Sequence, residues 1–310
     1  MNRKNAGVIY TAAVCILLIL IILTGFLDAV LGEKTPKKQA EISVILYDAG
    51  SNGWESLLRG MKQAEDDFTV NINYVVMRAD DGGEEQLELI QREIENGAQG
   101  LIVAVCDYEF MYEELESISN AVPMVAVESG VGDSMISLFS ADNYQMGRKL
   151  GEQILKDFRE KESLTVALIR DNVRRDSVMQ REEGLRDDLG EKAKIISLQA
   201  AMKGEKIDAA VGLHKESLLS LTERNDEALD NVKKYGIGNT AAIVTALDKG
   251  CLDKLVFQNE FNMGYLAVEA LLENISGNGC ETKKNIDDYC ISRDEVFETQ
   301  YERLLFPIVE

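Results

Sequence analysis

The sequence contains little of what metal sites and common hydrolases need. A single histidine, His214, excludes a site with several histidine ligands and leaves a Ser-His-Asp arrangement possible only through that residue. The five cysteines form no Cys-x-x-Cys pair, so a zinc or iron–sulfur centre has little support. No Gly-x-Ser-x-Gly motif is present either. We therefore expect no metal, no cofactor and no catalytic residue.

Positive charge is also scarce. The 310 residues include 33 Lys and Arg against 54 Asp and Glu, which gives a formal net charge of −21. Binding to phosphate backbones or to an anionic lipid surface requires clustered basic residues. We therefore expect no nucleic acid partner. The apolar share of 45% is nevertheless ordinary for a folded globular protein.

The N-terminal segment, residues 1–40, has the pattern of a membrane anchor. Residues 6–27 carry no charge and are long enough for a bilayer core of about 30 Å. Basic residues precede this run and acidic residues follow it, which predicts a single-pass protein with a cytoplasmic N-terminus and an extracytoplasmic body. A cleaved signal peptide is the alternative, although the run exceeds the usual signal length. Outside the cell, Cys280 and Cys290 would be either bridged or free.

From residue 41 onward, short apolar strands alternate with amphipathic helices. The run 100–105 is continuously apolar, as expected for a parallel strand covered on both faces. The alternation begins again after a helix that starts near residue 144. Repeated strand–helix units favour parallel sheets with right-handed crossovers. Two such series predict an α/β protein of two lobes.

Ligands of open parallel sheets bind beyond the carboxyl ends of the strands. Functional residues are therefore expected in the loops that follow the strand ends. The loops span residues 47–53, 107–110, 128–133, 170–181, 212–216, 236–239 and 258–262.

Several short motifs in these loops and strands occur in a characteristic order. No single one is specific, but their order and spacing together resemble the type I periplasmic binding proteins, the group of ribose-binding protein and the ligand domains of lac-repressor-like regulators. The resemblance covers about residues 41–275. Its motifs are Asn52-Gly-Trp54 before a helix, the strands at 97–103 and 122–128, Ser140-Ala-Asp-Asn143 with Gly147, Arg181-Glu-Glu-Gly184, and Gln258 with Met263-Gly264.

The resemblance implies two Rossmann-like lobes with parallel sheets, joined by a three-strand hinge. The crossings would fall near Asp142, Gln258 and Gly279. An N-terminal lobe would then comprise residues 41–141 plus 258–279, and a C-terminal lobe residues 142–257 plus 280–310. Such a fold closes on a small polar ligand by a hinge motion.

Four candidate ligand residues belong to the first lobe. Trp54 would present its ring to a sugar face, or else pack on the core. Asn52 would hydrogen-bond a polyol, or else form the tight turn between two glycines. Asp107 would accept hydroxyl hydrogen bonds, or else cap the next helix. Glu128 follows the fourth strand where sugar-binding relatives often have Asp-Arg, so the missing arginine argues against a ribose-like ligand.

The other four candidates belong to the second lobe and the crossings. Arg181 matches the family arginine that enters the cleft, the alternative being a solvated helix face. Gln258 matches the glutamine of the second crossing. His214 or Glu216 would fill the place where the family usually has Asn-Asp, and Asn239 the place of its Gly-x-Asp. A lone histidine is more often structural than a ligand, and these changes favour a ligand other than the familiar pentoses.

Three functions compete at this point. The first is a substrate-binding protein that delivers a sugar-like small molecule to the permease of an ABC transporter. The second is a sensing subunit that signals to a membrane histidine kinase. The third, a hydrolase working with carboxylates alone, is remote because no sequence feature pairs them. We expect a carbohydrate-binding protein and not an enzyme.

Overall fold

The computed structural model describes residues 39–50, 52–78, 82–132, 136–278 and 283–306. The predicted membrane anchor at residues 6–27 and the cysteine Cys280 lie outside these residues. Across the ranges that the structure describes, no helix combines the length and the apolar composition needed to cross a bilayer.

The first lobe is built on a six-stranded parallel sheet with the strand order 11-5-4-3-1-2. Two of its central strands are buried at every position, as the continuous apolar runs predict. The strands are β1 (Glu41–Leu46), β2 (Asn71–Val76), β3 (Gly100–Val103), β4 (Met124–Val127), β5 (Ser137–Ser140) and β11 (Lys283–Asn285). The helices of this lobe are α1 (Glu55–Phe68), α2 (Gly83–Glu95), α3 (Tyr108–Ser119) and α9 (Glu260–Ile275).

The second lobe repeats this design with the strand order 12-10-9-8-6-7, in which only the edge strand β12 is antiparallel to its neighbour. Its strands are β6 (Leu164–Leu168), β7 (Ala193–Ser197), β8 (Ala209–Gly212), β9 (Lys233–Ile237), β10 (Lys254–Gln258) and β12 (Asp288–Ile291). Its helices are α4 (Asn143–Asp157), α5 (Asp176–Leu189), α6 (Leu198–Met202), α7 (Lys215–Glu223), α8 (Ala241–Asp248) and α10 (Thr299–Leu305). The predicted α/β architecture of two parallel-sheet lobes is therefore confirmed.

The chain passes between the lobes three times, and hydrogen bonds tie the three crossings together. The amide of Ile286 donates to the carbonyl of Ser140 at 2.9 Å. The amide of Ala141 donates to the side-chain oxygen of Gln258 at 3.0 Å. The amide of Asn259 donates to the carbonyl of Asp287 at 2.9 Å. The crossings thus form one bonded unit.

The third crossing differs from the sequence-based expectation. The prediction near Gly279 falls on a residue outside the described ranges, whereas the structure places the crossing at Ile286 and Asp287, after β11 has paired with β5. Residues 283–285 therefore belong to the first sheet. The sequence of this strand is Lys-Lys-Asn, which lacks the apolar alternation from which a strand is predicted.

In each lobe, one helix pair packs so closely that each helix contributes a glycine to the contact. In the second lobe, a Cβ on Gly184 of α5 would lie 2.0 Å from the carbonyl oxygen of Tyr144 in α4, and one on Gly147 would lie 2.1 Å from that of Arg181. In the first lobe, Gly60 of α1 and Gly264 of α9 make the same reciprocal contact. The close approach sets the position of α5, the helix that carries Arg181.

We expect Gly184→Ala to destabilise the protein, because the added methyl group meets backbone that cannot rotate away. Overpacking of this kind costs about 1–3 kcal/mol. Thermal or chemical unfolding of the variant against the parent chain measures the effect. Glu183→Ala, on the exposed face of the same helix, is the matched control and should change the unfolding free energy by at most about 0.5 kcal/mol. Equal stabilities of the two variants would contradict the close contact.

Candidate binding cleft between the lobes

Loops at the carboxyl ends of the strands of both lobes meet in a single cleft. Its inner cavity measures about 20 Å³, which is space for about one water molecule. The lining side chains are mainly charged or aromatic. They include Tyr47, Trp54, Glu128, Arg175, Arg181, His214, Lys215, Glu216, Gln258 and Glu260.

A buried ion pair joins the lobes at the centre of this cleft. Glu128 follows β4 of the first lobe with a left-handed φ of 62°, and it is 6% exposed. Its Oε1 accepts from Arg181 Nη2 at 2.7 Å, and its Oε2 accepts from the hydroxyls of Tyr47 and Ser177. Burial by itself would raise the pKa of Glu128, but the Arg181 guanidinium and the Tyr47 hydroxyl hold it below its ordinary value.

Arg181 is 3% exposed and uses each of its nitrogens. Nε donates to the side-chain oxygen of Asn143 at 2.8 Å, and Nη1 donates to the carbonyl of Leu213 at 3.1 Å. Because Asn143 begins α4 directly after the first crossing, Arg181 connects the hinge, the second lobe and Glu128. The predicted position in the cleft is where the structure places this side chain.

A second cation, Arg175, stacks on an aromatic ring of the first lobe. Its guanidinium carbon lies 3.6 Å from the centroid of the Tyr47 ring. Nη2 donates to the carbonyl of Asp48 at 3.1 Å, and Nη1 donates to Glu216 Oε1 at 3.0 Å. An aromatic face, a carbonyl and a carboxylate thus surround this guanidinium.

A third cation, Lys215, has surroundings of the same kind. Its Nζ lies 2.6 Å from Glu260 Oε1, donates to the carbonyl of Gly53, and lies 5.2 Å from the centroid of the Trp54 ring. Glu260 is 4% exposed, and burial raises its pKa despite the opposing effect of Lys215. The side-chain amide of Asn239 is best oriented with its nitrogen toward the Glu260 carboxylate. In this orientation the nitrogen donates to the two Glu260 oxygens at 3.3 and 3.2 Å.

His214 is buried between two carboxylates at the start of α7. Its Nδ1 lies 2.8 Å from Glu216 Oε2, and its Nε2 pairs with Asp171. Burial would lower its pKa, but hydrogen bonds to Asp171 and Glu216 raise it above the ordinary value. In the same way, the pKa of Glu216 is lowered to about 2, because bonding to His214 and the charge of Arg175 outweigh burial.

Five of the eight sequence-predicted residues line the inner cavity, and several also support the structure. Trp54 is buried; its indole N–H donates to the carbonyl of Tyr47 at 2.7 Å, and the two rings pack edge to face. Gln258 bonds the first crossing. The five are Trp54, Glu128, Arg181, His214 and Gln258.

The remaining three do not line the inner cavity. Asp107 caps α3 through the amide of Phe110 and pairs with Arg174 of the other lobe at 3.2 Å. Asn52, exposed and with a φ of 60°, and Asn239 line a second, outer cavity of about 620 Å³ that also reaches Glu260.

The loops selected from the sequence line the cleft, but several charged residues in them, such as Arg175 and Lys215, were not selected. Arg174 and Arg175 are adjacent, yet the side chain of Arg174 is 76% exposed and that of Arg175 is 7% exposed. Lys215 directly follows the selected His214, and Glu260 stands two residues after the selected Gln258. The available signal was a basic or acidic residue in the same loop as a selected position. Which of these charged side chains turns inward depends on contacts with the opposite lobe.

Comparison with known proteins identifies the family. A family model described as the periplasmic binding protein domain matches residues 42–279, which is more than half of the chain. The chain therefore belongs to the periplasmic binding protein family. No curated protein matches the sequence significantly.

Solved structures share the fold at low sequence identity. A carbohydrate transporter solute-binding protein from Agrobacterium radiobacter, in complex with D-arabinose, is 18% identical with a TM-score of 0.79, covering 87% of this chain and 99% of its own. A Caulobacter myo-inositol binding protein bound to myo-inositol is 16% identical with a TM-score of 0.74, covering 88% and 100%. A chain of the XylFII–LytSN complex is 17% identical with a TM-score of 0.71, covering 83% and 99%.

The raised pKa of His214 predicts a pH-dependent contribution to stability. A raised folded-state pKa gives stability that is present below the unfolded pKa of 6.5 and is lost as the pH rises through the folded value. His214→Asn keeps a good helix cap but removes the charge. We expect the loss of unfolding free energy in this variant to be larger at about pH 6 than at about pH 9. Denaturant titrations at both pH values measure it, and a loss independent of pH would contradict the charged state.

Proposed function

We propose that this protein is an extracytoplasmic solute-binding protein that closes its two lobes on a small polar ligand and supplies it to an ABC importer. The observation that carries the proposal is the cleft itself. In a periplasmic binding protein fold, buried hydrogen-bonding charges from both lobes, including Glu128 and Arg181, meet beside two aromatic rings. Such a site holds a ligand whose groups replace or extend these contacts, and it exists only while the lobes are together.

A sugar or sugar-like molecule is the ligand class that we favour. Similar structures contain arabinose and myo-inositol. In this chain, carboxylates and amides such as Glu128 and Asn239 can accept and donate hydroxyl hydrogen bonds, and Trp54 offers an aromatic face. We propose Trp54, Glu128, Arg181 and Asn239 as contacts. Asn52, Asp107, His214 and Gln258 would border or brace the site.

Binding is favoured over catalysis by the state of the cleft carboxylates. Glu128 and Glu260 each bind a cation at 2.6–2.7 Å, and Glu216 binds both Arg175 and His214. Paired carboxylates of this kind hold charge and orient groups. A carboxylate hydrolase would instead need an acid and a nucleophile facing one scissile bond.

We also propose that residues 6–27 anchor the protein, with the binding lobes outside the cytoplasm. The apolar length of this run and the basic residues before it support this placement. Tethering raises the effective concentration of a receptor near its membrane partner. Recovery of the full-length chain in the membrane fraction after alkaline washing is the expected result, and a soluble, shortened chain would favour a cleaved signal.

Sensing is the second candidate, in which closure is transmitted to a membrane histidine kinase. One similar structure was solved within a protein complex, XylFII–LytSN, and this observation favours a protein partner. Deleting the gene separates the two functions. Loss of ligand uptake would support import, whereas intact uptake with a lost transcriptional response to the ligand would support sensing.

We expect a selective ligand to raise the melting temperature of the full-length protein in detergent. A panel of pentoses, hexoses, inositols, amino sugars and amino acids tests this, since a hundredfold excess over Kd stabilises the folded state by about 2.7 kcal/mol. Calorimetric titration should confirm a single site per chain. Asn239→Ala should weaken the binding, and Glu183→Ala should leave it unchanged. A flat response across the panel, from protein that unfolds cooperatively, would contradict the proposed function.

A further inference from the structure

The first lobe offers each of two cations of the second lobe an aromatic ring and a backbone carbonyl, both from the segment between β1 and α1. The Tyr47 ring and the Asp48 carbonyl hold Arg175. The Trp54 ring and the Gly53 carbonyl hold the Lys215 ammonium, and Glu260 completes this second site. An aromatic face, a carbonyl and a carboxylate together are a strong match for a cation.

The site occupied by Lys215 borders a cavity of ligand size. The outer cavity of about 620 Å³ lies within the range of about 300–1,000 Å³ typical of small-molecule sites. Glu260 forms part of its wall, together with the amides of Asn52 and Asn239. The two cations in this wall are bound by carboxylates of their own helix, Arg59 by Glu55 and Lys62 by Glu65.

Lys215 also has space to leave its site. It borders a further cavity of about 430 Å³, whose charged lining residues besides Lys215 are Glu216, Glu223 and Arg224. A lysine ammonium sits on a flexible four-carbon chain, in contrast to the planar and multiply bonded guanidinium of Arg175. Of the two cations, Lys215 is therefore the one that a ligand can replace.

The chemistry of the replacing group follows from charge. If a hydroxyl group displaced Lys215, the buried carboxylate of Glu260 would lose its cation, which is strongly unfavourable. A ligand ammonium group would restore the pair, the carbonyl contact and the aromatic contact at once. The net charge of −21 further concentrates cations around the protein.

We propose that the ligand of this cleft is a hydroxylated amine, such as an amino sugar, whose ammonium group replaces Lys215 at Glu260, the Gly53 carbonyl and the Trp54 ring. This inference rests on the proposed binding function and specifies its ligand class. The hydroxyl groups of the ligand would lie in the outer cavity beside Asn52 and Asn239, and Lys215 acts as an internal competitor for the site.

Calorimetric titration of the full-length protein with glucosamine, glucose and N-acetylglucosamine tests the ammonium requirement. These probes differ at a single substituent, which is an ammonium, a hydroxyl or an uncharged amide. We expect glucosamine to bind and the other two to bind at least about 30-fold more weakly, as expected for loss of one buried charged partner. Glucosamine binding should also weaken as the pH rises through the pKa of its ammonium group.

Variants test the competition itself. Lys215→Met should tighten glucosamine binding by about tenfold or more, because the competing occupant is gone. Lys203→Met, an exposed lysine away from the cleft, should change nothing. If the unpaired Glu260 prevents Lys215→Met from folding, the double variant Lys215→Met with Glu260→Gln removes both charges. It should fold and bind glucosamine no better than glucose.

The outcomes separate this proposal from the binding function. Equal binding of glucose and glucosamine, or selective binding of another neutral sugar unaffected by Lys215→Met, would overturn the ammonium proposal and leave the sugar-binding function standing. Glucosamine binding that weakens in Lys215→Met would also overturn it, since Lys215 would then be a ligand contact. No binding of any small molecule in the wider panel would overturn both.

Discussion

The ion pair between Glu128 and Arg181 is the contact on which the closed arrangement of the two lobes depends. A buried pair is favourable only when its remaining donors and acceptors are also bonded. Here Tyr47 and Ser177 complete the carboxylate, and Asn143 and a backbone carbonyl complete the guanidinium. The pair in turn requires the left-handed backbone at Glu128 and the glycine contact that sets the position of α5. Backbone, helix packing and electrostatics therefore all support one bond.

The charges of the cleft are divided unequally between the lobes, and this division favours closure. The cations Arg175, Arg181 and Lys215 come from the second lobe, which also contributes the carboxylate Glu216, whereas Glu128 and Glu260 come from the first. Opposite charges on facing surfaces attract and fix the register in which the surfaces meet. The aromatic rings of Tyr47 and Trp54 receive two of the same cations. Each of these three cations thus meets a carboxylate or an aromatic ring of the first lobe.

Much of the fold could be predicted from local patterns, because each strand–helix unit is formed by one continuous stretch of the chain. The strand β3 reads as a buried run, and Gly184 and Gly264 stand in recognisable motifs. The edge strand β11 could not be predicted, since three polar residues become a strand only by pairing with β5. In the site, Glu128 could be selected because it follows a predicted strand, and Arg181 because it matches the arginine of the family motif. The inward turn of Arg175 and Lys215 could not, because it is decided by rings and carbonyls of a distant segment.

The bonded crossings have a mechanical consequence. Hydrogen bonds join Ser140 to Ile286, Ala141 to Gln258 and Asn259 to Asp287. The three crossings therefore form one bonded hinge and not three independent linkers. A hinge of this type would bend about one axis more readily than it would shear or twist. A hinge motion of the two lobes would therefore follow a single path, and closing along it would return Arg181 to Glu128 in the same alignment. Reproducible docking of the lobes would thus depend on the linkage as well as on the surfaces that meet.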